Sequence, residues 1–205
     1  SHADGLLSQE EHDWLVLRAK GGFGAVMSAA AYVQPGGKGF EGQFGMDEDR
    51  FGPALEALAR DIKAHDSLAI VQLYHGGLRA VPGREIVGPS DDAQSGGRAL
   101  STGEVEAMIE AFIASAQRAQ AAGFDGVELH GAHSYLLCQF LSSELNRRDD
   151  RFGGSLDNRA SPIREIVAGI RQRCGLNFNL GLRLSPERMQ IRTDEALELA
   201  GQLLG

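Results

Sequence analysis

Helical and strand-like segments alternate strictly along this chain, and this alternation constrains its fold more than any other feature of the sequence. Apolar residues at helical spacing predict five helices, and short apolar runs between them predict four strands. The helices are predicted over residues 8–20, 51–65, 102–122, 162–174 and 193–204, and the strands over residues 25–30, 68–73, 127–130 and 179–184. Strands joined through helices run parallel, because the chain must cross back before the next strand starts. The sequence therefore predicts an α/β protein.

Two folds consist of such alternating units, a doubly wound sheet and a (β/α)8 TIM barrel. No Gly-x-Gly-x-x-Gly follows any predicted strand, so the dinucleotide-binding form of the open sheet is not supported. Polar side chains instead gather at strand ends, in three pairs: Gln72 and His75, His130 and His133, and Arg183 and Ser185. In a barrel the carboxyl ends of all strands meet at one mouth, which holds the active site. The sequence favours the barrel.

The number of predicted strands is too small for a closed barrel. A closed barrel needs eight strands over about 250 residues, whereas these 205 residues contain four predicted strands. We therefore expect one incomplete barrel domain over residues 1–205, without the first strand and the last three strands of the fold. A long stretch rich in Gly and Pro, residues 75–99, is predicted to be a binding loop.

Composition and charge narrow the choice of partner. Acidic residues outnumber basic ones by 28 to 20, and no cluster of Lys and Arg forms a basic face, so a nucleic-acid partner is not expected. No apolar run reaches the roughly 18 residues that cross a bilayer, so no membrane partner is expected. Cys138 and Cys174 lack metal-binding spacing and, without an export signal, are expected to be reduced thiols of a cytoplasmic protein. The expected partner is a small-molecule substrate, and a homo-oligomer is left open.

The segment after the third predicted strand carries the most chemistry. His130 and His133 end that strand, and Tyr135 follows two residues later. Two imidazoles can donate hydrogen bonds to one substrate oxygen, and a phenol can deliver a proton. We predict that these three residues are catalytic, with a purely structural role as the alternative. A zinc site would need a third ligand, and because neither Glu128 nor Cys138 completes a ligand motif, no metal is predicted.

Two further polar residues end predicted strands. Gln72 closes the second strand, and its amide offers a donor and an acceptor that match the edge of a pyrimidine-like ring. Arg183 would place a permanent positive charge in the mouth, which suggests an anionic ligand or a developing negative charge. Each has an ordinary alternative, because glutamines are common at strand ends and an arginine can form a surface ion pair.

Four sequence blocks resemble those of a known family. The run HGAHSYLLCQFLS…NRRDDRFGGSLDNR resembles the signature of the Old Yellow Enzyme family of flavin-dependent oxidoreductases. The blocks DGLLS…RAKGGFG, VQLYHGG and LRLSPE resemble other parts of the same family, in its order and spacing. The resemblance spans almost the whole chain. It implies a (β/α)8 barrel that holds FMN at its C-terminal mouth, which agrees with the barrel predicted from the alternation.

The resemblance also implies a reaction. Hydride would pass from NADH or NADPH through FMN to an activated alkene of the α,β-unsaturated carbonyl type. His130 and His133 would bind the carbonyl or other electron-withdrawing oxygen, and Tyr135 would protonate the carbon α to it. Oxidative amine demethylation is the alternative within the family. A metal-dependent barrel hydrolase using His130 and His133, and a non-catalytic domain, are the alternatives outside it.

The cofactor side of the site follows from the same resemblance. Gln72 would hydrogen-bond the pyrimidine end of FMN, Arg183 would lie beside its N1 and C2 oxygen, and Ala30 would lie against the ring. Two positions depart from the family pattern: Ser134 stands where glycine is usual, and Ala29 replaces a frequent glutamate. The rest of the signature is interpreted as structural, ordering the loop after the third strand and capping the next helix. Its residues are Asn146, Arg148, Asp150, Gly153, Gly154, Ser155, Asn158 and Arg159.

Overall fold

The computed structural model describes residues 1–81, 85–187 and 191–204, and in it the five predicted helices and four predicted strands alternate along the chain, with one further α-helix and two short strands between them. The helices are α1 (Gln9–Lys20), α2 (Gly52–Lys63), α3 (Thr102–Ala121), α4 (Leu136–Leu141), α5 (Leu156–Cys174) and α6 (Thr193–Leu204). The strands are β1 (Ala25–Tyr32), β2 (Leu68–Tyr74), β3 (Val87–Gly88), β4 (Arg98–Ala99), β5 (Gly126–Gly131) and β6 (Asn179–Leu184).

Four strands form one parallel sheet in the order β1-β2-β5-β6. These are the four predicted strands, and three of them are longer than predicted, because β1 and β2 continue past their apolar runs and β5 starts earlier. The register places Ala30 opposite Gln72, and Gln72 opposite Glu128. The carboxyl ends of all four strands therefore lie at one edge of the sheet, as the barrel prediction requires.

The core lies between this sheet and the helices that cover it. Val71, Leu73, Val127 and Leu129 are fully buried on the central strands. They pack with the apolar faces of α2, α3 and α5. Apolar residues recur at helical spacing on α2 and α3, and their larger members are buried, among them Leu55, Leu58 and Ile62 on α2. Within the described part of the chain, no helix combines the length and the apolar character that crossing a bilayer needs.

The first helix differs in detail from its prediction. Ser8 accepts a hydrogen bond from the Glu11 amide, as in a capping box, but the Glu11 carboxylate contacts Ser1 rather than closing the box. The apolar side chains Trp14 and Leu17 are exposed, and the guanidinium of Arg18 lies 3.1 Å from the centroid of the Trp14 ring. The mixed pattern of this helix therefore leaves much of its apolar surface outside the core.

The fourth predicted helix begins earlier than the sequence analysis placed it. We predicted its start at Pro162, whereas α5 begins at Leu156 with Ser155 as its N-cap. Proline inside a helix leaves the carbonyl four residues earlier without its usual donor. That carbonyl belongs to Asn158 and accepts instead from the Ser161 hydroxyl at 2.5 Å, which explains why the helix continues through the proline.

The predicted binding loop contains regular structure of its own. A 3₁₀ turn spans Gly77–Arg79, and β3 and β4 form a two-stranded parallel ladder beside α4, a short helix that the sequence analysis did not predict. Residues 82–84 of that loop lie outside the described residues.

Candidate active site

The predicted catalytic residues lie together at the carboxyl end of β5. His130 is buried near the end of the strand, His133 is exposed, and Tyr135 is half-buried. The ring centroids of His130 and His133 are 5.1 Å apart, and those of His130 and Tyr135 are 4.8 Å apart. Two imidazoles and a phenol can therefore reach the same small ligand, which is the arrangement that the predicted chemistry needs.

The surroundings of His130 fix its protonation and its tautomer. Burial, His133 and Arg183 together lower the pKa of His130 from 6.5 to about 4, so the ring is neutral at pH 7. Its Nδ1 accepts a hydrogen bond from the Ala132 amide at 3.4 Å. A neutral imidazole carries one proton, which is then on Nε2. His130 is therefore a neutral hydrogen-bond donor, the form suited to polarising a carbonyl.

The turn between the histidines and the tyrosine has an unusual backbone. His133 and Ser134 have φ angles of 56° and 66°, in the left-handed region that favours glycine. Two distant side chains hold the turn: Arg79 donates from Nη1 to the His133 carbonyl at 3.1 Å, and Ser185 accepts from the His133 amide at 3.0 Å. Ser134, which stands where the family usually has glycine, therefore has a backbone conformation that is strained for a residue with a Cβ.

Gln139 was not singled out by sequence reasoning, although it organises this turn. Its side chain is buried in α4 and donates to the carbonyls of Ser134, at 2.6 Å, and Gly76, at 3.3 Å. Its amide oxygen accepts from the Leu78 amide at 3.1 Å. Gln139 therefore joins the loop after β2 to the turn after β5. A buried amide in the otherwise apolar run LLCQFL was the available signal.

A second residue that sequence reasoning missed is Tyr74, the last residue of β2. Its ring lies 4.5 Å from the Tyr135 ring and 5.8 Å from the His130 ring, between centroids. Burial, followed by the proximity of Tyr135 and a hydrogen bond with it, raises the pKa of Tyr74 well above its ordinary value. Tyr74 therefore stays a neutral phenol that packs beneath the predicted proton donor.

The predicted cofactor residues form a row across the middle of the sheet. Ala30 on β1 is opposite Gln72 on β2, which is opposite Glu128 on β5. The Gln72 amide donates from Nε2 to Oε1 of Glu128 at 2.7 Å, and Arg183 on β6 donates from Nε to the same oxygen at 2.8 Å. We call these four residues the strand row. Glu128 was considered in the sequence only as a metal ligand, and its link to both predicted cofactor residues was missed.

An irregularity in β1 sets the position of Ala30. The register of β1 against β2 shifts between Met27 and Ala30, which is characteristic of a β-bulge beside a functional site. Ser28, inside the shift, accepts a hydrogen bond on its hydroxyl from the backbone N–H of Gln72 at 3.2 Å. Gln43 from the following loop donates to the Ala30 carbonyl at 2.8 Å. The backbone of both cofactor positions is thereby held by side chains outside the row.

The chemistry of the strand row fits the pyrimidine edge of a flavin. Because the nitrogen of the Gln72 amide is bound to Glu128, its oxygen is left as an acceptor for a ring N–H. Among the described residues, no partner is found for the terminal nitrogens of Arg183, which remain donors for a ring carbonyl or a negative charge. Ala30 adds a small side chain beside Gln72. The described part of the chain contains no group of three or more His, Cys, Asp or Glu side chains placed to hold a metal ion.

The remaining signature residues are structural, as predicted. Asn146 donates to the carbonyls of Phe140, at 2.7 Å, and Phe152, at 2.8 Å. Arg148 pairs with Asp150, whose pKa the guanidinium lowers strongly. Arg159 is buried and bonds the Leu141 carbonyl and Glu195. These bonds order the segment between α4 and α5 and do not reach the histidines.

Comparison with known proteins places the whole chain in a family. Residues 1–204 match the model of the NADH:flavin oxidoreductase / NADH oxidase family. A relative from Bacillus subtilis (strain 168), the probable NADH-dependent flavin oxidoreductase YqiG, is 41% identical over 198 residues, which cover 91% of this chain and 53% of the relative. The chain thus spans about half the length of that relative.

Solved structures show the same likeness. A 2-naphthoyl-CoA reductase in complex with 2-naphthoyl-CoA superposes with a TM-score of 0.91 at 34% identity, covering 97% of this chain and 34% of that chain. Old Yellow Enzyme from Pichia sp. AKU4542 superposes with a TM-score of 0.90 at 24% identity, covering 100% and 59%. These neighbours are (β/α)8 barrels that the chain covers in part, so the predicted partial barrel is confirmed.

Proposed function

Because the chain belongs to the NADH:flavin oxidoreductase / NADH oxidase family, as the resemblance to Old Yellow Enzymes predicted, we propose that it carries the substrate site of an ene-reductase. The predicted cofactors, FMN with NADH or NADPH, agree with this family. The substrate is an alkene conjugated to a carbonyl or another electron-withdrawing group. The net reaction adds a hydride to the β carbon and a proton to the α carbon.

The strand row is the part of this chain that would hold the flavin. Gln72 and Arg183 would bind its pyrimidine edge, and Ala30 would leave room for the ring. Bound FMN supplies the two-electron redox chemistry between the nicotinamide and the alkene. The positive charge of Arg183 beside the ring favours the negative charge that gathers there on reduction.

The histidine pair would hold the substrate by its activating oxygen. His130 is a neutral donor through Nε2, and the ring centroids of His130 and His133 are 5.1 Å apart. Hydrogen bonds to that oxygen become stronger as negative charge develops on it during hydride addition. Such differential binding of the transition state is what accelerates the reaction.

Tyr135 would complete the reduction by protonating the α carbon. The observation that carries the proposal is the 4.8 Å separation of the His130 and Tyr135 rings, because it puts a carbonyl binder and a proton donor within reach of one enone. A phenol is protonated at neutral pH and can donate as a general acid. The proton that leaves Tyr135 is replaced from solvent at the open side of the half-buried ring.

The test separates the two half-reactions in the full-length protein, after its visible spectrum has established bound flavin. In stopped-flow experiments, Tyr135→Phe should slow flavin reoxidation by an enone by about 10²–10⁴-fold, the usual contribution of a positioned acid. Flavin reduction by NADH or NADPH should stay nearly unchanged. Equal loss in both half-reactions would refute the proton-donor role.

Tyr32→Phe provides a control for losing a phenol hydroxyl at a residue with no predicted role in the reaction. Its ring packs edge-on against Phe51 at 6.4 Å between centroids. It should leave both half-reactions unchanged. The amine demethylase and the hydrolase gain no specific support from the geometry, and the cytoplasmic location and any homo-oligomer stay predictions.

A further inference from the structure

One carboxylate links the two cofactor residues that come from different strands. Oε1 of Glu128 accepts from Gln72 on one side and from Arg183 on the other, at 2.7 and 2.8 Å. Glu128 lies on β5, between β2 and β6, so it can reach both neighbours across the sheet. A single side chain thus controls the position of two groups that would bind a ligand.

Glu128 and Arg183 differ in exposure, and this difference distinguishes a supporting residue from one that can contact a ligand. The Glu128 side chain is 15% exposed, whereas the Arg183 side chain is 43% exposed. The carboxylate is therefore the less accessible of the two groups. A ligand at the mouth would have easier access to the guanidinium than to the carboxylate.

Glu128 also decides which way the Gln72 amide faces. An ionised carboxylate can only accept hydrogen bonds, so it selects the orientation in which the amide nitrogen points towards it. The amide oxygen then has to point elsewhere, and it becomes an acceptor of fixed position. With no carboxylate beside it, the amide could turn over and present its nitrogen to the ligand.

We propose that Glu128 is a positioning residue that presets Gln72 and Arg183 for the pyrimidine edge of FMN. It turns the Gln72 oxygen towards the ring N–H and steadies the guanidinium that donates to the neighbouring carbonyl. It does not contact the flavin itself. This inference rests on the flavin site of the proposed function, but not on alkene reduction.

A double-mutant cycle on FMN affinity tests the proposal in the full-length apoprotein. Glu128→Gln keeps the size of the side chain but can both donate and accept, so it no longer selects one amide orientation. We expect the dissociation constant of FMN, measured by quenching of flavin fluorescence, to rise roughly tenfold, the value of about one well-placed hydrogen bond. The absorption spectrum of the bound flavin should shift as its hydrogen bonds change.

The second arm of the cycle repeats the substitution in the Gln72→Ala, Arg183→Ala background. If Glu128 acts through those two side chains, Glu128→Gln should cost no further affinity there. The same loss in both backgrounds would mean a general structural role and would overturn the proposal, as would no loss in the wild-type background. Glu128→Asp keeps the charge on a shorter side chain and should give an intermediate loss, so the proposal stays testable if the glutamine variant folds poorly.

Asp125 supplies the matched control, because it is an acidic residue directly before the first residue of β5, at the amino end of the strand. Its carboxylate accepts from the Ala69 amide at 2.9 Å and pairs with Lys63 at 2.9 Å. Asp125→Asn should lower stability without changing FMN affinity. If the protein reduces no alkene but the double-mutant cycle on FMN affinity gives the expected result, the proposed function is refuted and the role of Glu128 is supported.

Discussion

The two halves of the candidate site are built in different ways. The strand row lies on paired strands, one of which is irregular beside Ala30, and its side chains are positioned by strand pairing and by one carboxylate. The turn that follows β5, through His133 and Ser134 to Tyr135, has two left-handed residues and depends on side chains from three other segments. The residues proposed to bind the flavin edge therefore lie on paired strands, whereas two of the three proposed to bind the substrate lie on a turn whose shape no regular strand provides.

This difference determines where each half is vulnerable. Loss of one side chain from the strand row leaves the strands paired, because their hydrogen bonds run through the backbone. Loss of the Gln139 side chain leaves buried or part-buried carbonyl and amide groups without their partner, and such groups are costly. Substitutions in the row should therefore alter ligand binding, and substitutions around the turn should alter folding as well.

Acidification is expected to have the largest effect on stability, and it should act near the turn, through His75. His75 is fully buried, its backbone carbonyl accepts the Leu136 amide at the start of α4, and burial lowers its pKa from 6.5 to about 4. Between pH 6.5 and 4 the unfolded chain takes up a proton there that the folded chain does not. The stability that depends on His75 should be constant above pH 6.5 and fall by roughly 3 kcal/mol as the pH drops to 4. His130, whose pKa is also lowered to about 4, should add to the loss over the same range.

Urea unfolding at a series of pH values measures this dependence. His75→Asn keeps an acceptor in place of Nδ1, which accepts the Gly77 amide at 3.1 Å, but it cannot titrate. Its unfolding free energy should therefore vary less with pH below 6.5. An unchanged slope in this variant would show that another group causes the loss.

Removal of the Gln139 side chain should give the next largest effect. Gln139→Ala leaves two carbonyls and one amide around the turn without their partner, at about 3 kcal/mol in total. Thermal or urea unfolding measures the loss. Gln9→Ala, at an exposed residue of α1, is the matched control and should change stability little. Similar values for both variants would contradict the dependence of the turn on Gln139.

The sequence was sufficient for the regular parts of the molecule and insufficient for the irregular ones. The parallel order of β1, β2, β5 and β6 follows from alternation, and the convergence of Gln72, His130 and Arg183 follows from their places at strand ends. The predicted start of α5 at residue 162 is wrong: proline is tolerated best in the first turn of a helix, whereas here Ser161 compensates for it further inside.

The contacts that hold the site could not be predicted, because they join segments far apart in the chain. Gln139 and Gly76 are separated by 63 positions, and Arg183 and Glu128 by 55. No local periodicity reports such pairs. The proximity of His130, His133 and Tyr135 could be predicted from their spacing at a strand end, but the neutral, Nε2-protonated state of His130 depends on burial and on the Ala132 amide.

Replacing both His130 and His133 should have a smaller effect, limited to the affinity for ligands that bind the histidine pair. His130→Ala with His133→Ala removes two donors to the substrate oxygen, so a phenolic ligand should bind about 30-fold more weakly. Titration of the visible flavin spectrum measures this affinity. The FMN dissociation constant should stay unchanged, because the strand row is intact. A parallel loss of FMN affinity would mean that the two halves of the site are not separate.

The smallest expected effect concerns the strain in the turn itself. Ser134 has φ 66°, a conformation that costs a residue with a Cβ about 1 kcal/mol relative to glycine. Ser134→Gly should therefore raise the unfolding free energy by up to that amount. The gain is reduced by the greater conformational entropy that glycine gives the unfolded chain. Ser134→Ala removes the hydroxyl and keeps the Cβ, so it should give no gain. If alanine stabilises as much as glycine, the hydroxyl rather than the backbone is the source of strain, and the contrast between a strained turn and a relaxed strand row fails at this residue.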